Sequence, residues 1–217
     1  MEPDRATAET SVGRYLYYGG PLVWAILIVF HPNPSGDSPY EDLTGDVNRW
    51  LVIHVGQLIL TPFLFLAVWR LLDDLSSTAA RVSRTALVVW TVFFSAYDSV
   101  QGIATGILIR RANDLAGEEQ AAVGSAIDFL VEDSQLAGNI SALGLVAGAA
   151  WLTVAIAAAI ALHKAGAGNA VVVATCLSVV VAAHTAPAAI GFLALFIAGI
   201  LRERQRTTSA MGAPAVT

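Results

Sequence analysis

Residues 170–201 run AVVVATCLSVVVAAHTAPAAIGFLALFIAGIL, and none of them carries a formal charge; only His184 can titrate. A helix facing water needs a polar stripe, and this stretch offers none. Blocks of similar character precede it at about residues 15–31, 50–69, 86–109 and 137–162. The chain is 56% hydrophobic and only 13% charged, with a mean hydropathy of +0.64. That is too little charge to coat a soluble domain. The sequence therefore predicts an all-α integral membrane protein, multi-pass, in the cell membrane.

How often the chain crosses depends on residues 170–201, which exceed the length of one crossing. They read either as one helix kinked at Pro187 or as two short helices turning at residues 184–187. Lys and Arg decide between the two, because they gather on the cytoplasmic side. Six spans place nine of them inside (Arg5, Arg14, Arg70, Arg81, Arg84, Lys164, Arg202, Arg204 and Arg206) and three outside (Arg49, Arg110 and Arg111). Five spans divide the same twelve equally. The prediction is a bundle of six transmembrane helices with both termini cytoplasmic. Residues 15–203 form the membrane domain, and 1–14 and 204–217 are disordered tails.

The connections are read the same way. Residues 32–49 are rich in Pro, Gly, Asp and Ser, which predicts a loop. In the polar segment 112–136, Val123, Ile127, Leu130 and Val131 recur at helical spacing, with Glu118, Glu119, Asp128, Glu132 and Asp133 between them. This pattern predicts a short amphipathic helix on the membrane surface between the third and fourth spans. Residues 1–13 lack the basic start and short apolar core of a signal peptide. A net charge of −5 without a basic cluster excludes nucleic acid as a partner. Cys176, the one cysteine, allows no intrachain disulfide and reads as a small buried hydrophobe.

Within the spans one group stands out. Asp98 is the single formal charge of residues 86–109, and a carboxylate at membrane depth marks a functional site unless a partner explains it. Gln101 and Thr105 follow it at helical spacing, while His54, Gln57 and Thr61 share one face of the preceding span. Counting inward from each outer end at about 1.5 Å per residue pairs Thr61 with Asp98, Gln57 with Gln101, and His54 with Thr105. Asn139 and His184 lie on the same outer side. Asp98 and His54 are thus the candidate catalytic residues, and Gln57, Gln101, Thr61, Thr105, Asn139 and His184 the candidate substrate-binding residues.

The primary reading holds no metal. The metal alternative gathers His31, His54 and His184 around zinc, which favours imidazole ligands. Haem is disfavoured, because His163 lies opposite the other three histidines. Small-residue pairs with GxxxG spacing, Gly102/Gly106 and Gly144/Gly148, predict close packing of the third span on the fourth.

These features predict a small membrane-embedded enzyme acting on a lipophilic molecule through an outward-facing polar pocket, with Asp98 as buried acid or base. One alternative is a transport or accessory protein binding protons or solutes, for which a chain of 22.7 kDa would need to form a homo-oligomer. Another is a non-catalytic membrane protein whose polar residues only pin helices together. The expected partners are membrane lipids and a lipophilic small molecule.

Overall fold

The computed structural model describes residues 5–34, 38–131, 140–183 and 186–211. The fold is all-helical, at 87% helix, with no strand among the described residues. Helix α1 spans Arg5–Val29, α2 Pro39–Thr44, α3 Val47–Leu71 and α4 Thr78–Tyr97. A π-helical segment, Asp98–Ala104, joins α4 without a break to α5, Thr105–Asn113. Then follow α6 (Gly117–Val131), α7 (Ile140–Lys164), α8 (Asn169–Leu177), a 3-10 turn (Ser178–Ala183) and α9 (Ala188–Met211). Among the described residues three helices are long and apolar enough to cross a membrane: Val47–Leu71, Thr78–Asn113 and Ala142–Lys164. Tyr17–Val29 and Asn169–Ala182 are shorter apolar helices.

Local chemistry sets the helix ends. The α2 helix lies inside the segment expected to be a loop. Its start was legible as Ser38-Pro39-Tyr40-Glu41, since the Ser38 hydroxyl accepts the Glu41 N–H at 3.2 Å and Pro39 fits the first helical position. Ser77 caps α4 in the same manner, accepting from the Ala80 N–H at 3.2 Å. Helix α7 ends in a paired cap. The Ala167 and Gly166 N–H groups donate to the Leu162 and His163 carbonyls, each at 3.0 Å, and Gly166 takes the positive φ of 73° that this cap requires.

Aromatic rings hold the middle together. Trp24 of α1 stacks on Phe192 of α9 with centroids 5.0 Å apart, and Trp90 of α4 meets Trp151 of α7 edge-on at 4.8 Å. The Trp151 indole N–H donates to the Ser178 carbonyl at 2.7 Å, where α8 gives way to the 3-10 turn. Cys176 corrects an expectation: it is exposed, not buried. It shares the outer surface of this short helix with the exposed Val173 and Leu177, so its apolar neighbours in sequence signal an outward face and not a core.

Charges collect at one end. Arg206 of α9 pairs with Asp74 at 2.5 Å and Glu203 at 2.8 Å, and Arg202 pairs with Asp74 at 2.8 Å. Arg206 also donates to the Arg70 and Leu71 carbonyls that close α3, supplying donors that the helix end otherwise lacks. Tyr18 of α1 donates to Glu203 at 3.3 Å. Burial opposes the Asp74 charge, but the Arg206 hydrogen bond and the Arg206 and Arg202 charges outweigh it and hold its carboxyl below the usual value. A carboxyl depressed by folding stabilises the fold above its unfolded pKa and loses that contribution as pH falls through the folded value. Acidification through the carboxylate range should therefore lower the Tm of the purified protein. In Asp74→Asn the same fall should be shallower, and thermal scans at several pH values would show an unchanged slope if the cluster carried no weight.

The amphipathic helix expected in 112–136 is present as α6. Ile127 and Val131 are buried against Leu43 of α2, Val47 and Trp50 of α3, and Ile109 and Ala112 of α5. The Asp128 carboxylate accepts from Ser38 Oγ at 2.9 Å and from the Tyr40 N–H at 2.8 Å, tying α6 to α2. These two short helices cover the end of the bundle opposite the charge cluster.

Candidate functional site

The site lies beneath that cover, between α3 and the π segment. Trp50, His54, Gln57 and Thr61 follow one another along one face of α3, and all four are buried. Opposite them Asp98, Gln101 and Gly102 are the buried residues of the π segment. Such widened turns are rare and are found frequently at functional sites.

The central contact is His54 Nδ1 to Asp98 Oδ1 at 2.7 Å, with His54 3% and Asp98 0% exposed. Gly102 makes the approach possible, since a Cβ at that position would overlap the His54 ring. The Trp50 indole N–H donates to the Gly102 carbonyl at 2.7 Å, and its ring centroid lies 4.3 Å from that of His54. On the other side His31, just beyond α1, brings its Nε2 within 3.3 Å of His54 Nε2. The contact with Asp98 orients the imidazole and turns its Nε2 towards His31.

The polar groups around this contact are not all satisfied. Asp98 Oδ2, both polar atoms of the Gln57 amide and Gln101 Oε1 are buried with no hydrogen-bond partner among the described residues. Each such atom costs about 1–3 kcal/mol. Gln101 Nε2 does reach the Val131 carbonyl at 3.4 Å, which links the site to the end of α6.

Other candidate residues are placed differently. The Thr61 hydroxyl donates to the Gln57 carbonyl at 2.9 Å, and Thr105 to the Val100 carbonyl at 3.3 Å, so both are engaged by their own helices. Asn139 and His184 lie outside the described residues. The matched-depth pairing needs correction: His54 lies against Gly102 and Asp98, about one helical turn from a register level with Thr105. The reason is that α5 does not end level with Trp50, but continues to Asn113 to pack Ile109 and Ala112 under α6.

The first glycine pair is also reassigned. A Cβ on Gly102 or Gly106 would meet His54, Leu51 and Trp50 of α3, not α7. Of the second pair, Gly144 packs α7 against Tyr97 of α4, as expected, whereas Gly148 has nothing within 4 Å. Helices α4 and α7 join further through their aromatic rings and the Ser83 hydroxyl, which donates to the Val154 carbonyl at 2.9 Å. Trp50 was missed as a site residue, although its spacing of four from His54 places both on one face.

Among the described residues no three His, Cys, Asp or Glu side chains gather into a group that could hold a metal ion. No protein-family model, curated protein or solved structure matches this chain.

Proposed function

We propose that the chain is a membrane-embedded enzyme of six spans, with both termini cytoplasmic, acting on a lipophilic small molecule in the outer half of the bilayer. His54 is its working group, with Nε2 the reacting nitrogen, and Asp98 holds that imidazole in place. Gln57 and Gln101 bind polar atoms of the substrate. The observation that carries this reading is the buried 2.7 Å contact between His54 and Asp98, set among buried amide and carboxylate atoms that the described residues leave unpartnered. A packing pin needs its polar atoms satisfied; a binding site leaves some for its ligand.

Six crossings are supported by the way the elements meet. Tyr18, at the start of the apolar stretch Tyr17–Val29, meets Glu203 of α9, beyond that helix's apolar half, and Asp74 brings the α3–α4 turn to the same place. All lie at the arginine-rich end, opposite His31, His54 and α6, as alternate crossings require. The cytoplasmic assignment of that end follows the positive-inside rule.

The test is turnover. Purified protein in vesicles is incubated with total lipid extract and with apolar metabolite fractions, and products are followed by mass spectrometry. At least one species should be consumed by the wild type and spared by His54→Gln at equal abundance. Identical profiles for wild type, His54→Gln and empty vesicles would defeat the proposal.

A further inference from the structure

Helices α4 and α7 belong to the long apolar helices, and a groove of about 580 Å³ runs between them. Ala86 and Ala150 are buried and form its floor, while Val82 and Val146 stand exposed on its walls. It begins at Thr78 and Arg81, in the first turn of α4, and reaches Val89. From Thr78 to Val89 the helix rises about 16 Å at 1.5 Å per residue. One leaflet of a bilayer has a hydrocarbon depth of about 15 Å, half of the whole core. A slot of that length with small residues at its base fits one acyl chain.

The end of this groove lies beside the charge cluster but is not neutralised by it. Arg70, Arg202 and Arg206 pair with Asp73, Asp74 and Glu203, and Arg84 donates to the Leu72 and Leu75 carbonyls. Arg81 and Lys164 are exposed and form no ion pair among the described residues. Arg81 donates to the Thr78 hydroxyl at 3.4 Å. Lys164 stands three helical turns beyond Thr153 on the same face of α7. With Ser76 and Ser77 it lines a second cavity of about 240 Å³, next to the mouth of the groove at Thr78. Asp74 also borders that cavity, but its carboxylate is taken by Arg202 and Arg206. Two unmatched cations and a row of hydroxyl groups thus stand at the mouth of an apolar slot.

We propose that the α4–α7 groove holds an anionic phospholipid of the cytoplasmic leaflet, with one acyl chain against Ala86 and Ala150 and the phosphate held by Arg81 and Lys164. The charge pattern selects this occupant. A neutral lipid leaves both cations unmatched. A second copy packed in parallel through this face would bring Arg81 and Lys164 towards their own counterparts, like charge against like. Anionic lipids are concentrated at the cytoplasmic surface, where basic residues attract them. The site lies at the opposite end of the bundle from His54 and Asp98. It takes from the proposed function only the cytoplasmic assignment of this end, and none of the chemistry.

The test uses the full chain in detergent micelles carrying dioleoyl phosphatidylglycerol or dioleoyl phosphatidylcholine, which share their chains and differ in net charge. Bound lipid is counted by native mass spectrometry. The wild type should retain one phosphatidylglycerol per chain in clear preference to phosphatidylcholine. Arg81→Gln and Lys164→Gln should each lower that preference about fivefold, with far-UV helix content unchanged. Ala149→Leu, which fills the groove from an exposed position on its wall, should reduce retention of both lipids. Equal retention of the two lipids by the wild type, or a preference unchanged in both charge variants, would overturn the proposal. Inorganic phosphate that displaces no lipid is expected; phosphate that binds equally well without a lipid would assign the cations to a free anion instead. A dimer that Ala149→Leu disperses would give the groove to a second copy and equally overturn the lipid. The readout is bound lipid, so its failure leaves turnover at His54 untouched, and absent turnover leaves the lipid site standing.

Discussion

Asp98→Asn is expected to lower turnover by about 10²-fold or more, the range associated with losing a positioned acid–base group, while leaving the protein folded. The substitution keeps the size of the side chain and an oxygen able to accept from His54 Nδ1. It replaces one carboxyl oxygen by an amide NH2, so the side chain no longer holds the imidazole in one tautomer and orientation. Asp98→Ala is harsher, because it strands a buried His54 Nδ1–H with no acceptor, at a cost of about 1–3 kcal/mol. The comparison separates two contributions of one residue. Turnover should fall similarly in both variants, while the Tm should fall clearly only in Asp98→Ala. Parallel losses of Tm and turnover across the pair would argue that Asp98 serves packing alone.

The second large effect is expected at Gly102. An added Cβ would overlap the His54 ring, and neither partner can yield easily. Gly102 lies in the π segment and His54 is held by Asp98 and Trp50. Overpacking of this kind costs about 1–3 kcal/mol, and here it also pushes the imidazole off Asp98. Gly102→Ala should thus lose both stability and turnover. At Gly106 the nearest atoms are the Leu51 side-chain tip at 2.6 Å and Trp50 at 3.0 Å, and a leucine end can rotate away, so Gly106→Ala should be milder. Gly148→Ala meets nothing within 4 Å and should leave the Tm unchanged or raised, as alanine is the better helix former. Thermal unfolding of the three variants in one detergent checks that order. Equal losses at Gly102 and Gly148 would contradict the packing described for the site.

Much of this was legible before any coordinates. The helical class and the apolar blocks follow from composition and hydropathy, because a bilayer tolerates few other solutions. Two facing polar rows, His54, Gln57 and Thr61 on one span and Asp98, Gln101 and Thr105 on the next, were visible, and α6 was visible in the spacing of Val123, Ile127 and Val131. The register was not. It depends on how far α5 extends past the start of α3, and that is set by the packing of Ile109 and Ala112 beneath α6, a long-range contact with no local signature. The π segment was hidden for the same reason, since Asp98, Gln101 and Thr105 share a face under ordinary helical spacing whether or not the turn is widened. The glycines carried a readable message of close approach, but not its address. Gly102 and Gly106 admit α3, whose bulky face at Trp50 and His54 needs the space, and not the alanine-rich α7. His31 was grouped with His54 from the sequence only as a zinc alternative; its contact with His54 comes from the end of α1 meeting the second turn of α3.

The question that matters most is whether His54 and Asp98 work together on a substrate or merely hold two helices in register. A double-variant cycle answers it, with turnover per folded molecule measured for wild type, His54→Gln, Asp98→Asn and the two combined. Groups that act as one unit are strongly non-additive. The expected result is that each single variant loses most of the activity and the double variant loses little more, at Tm values that leave all four proteins folded. Independent, additive losses that scale with the drop in Tm would contradict it, and would return the pair to the role of a packing pin.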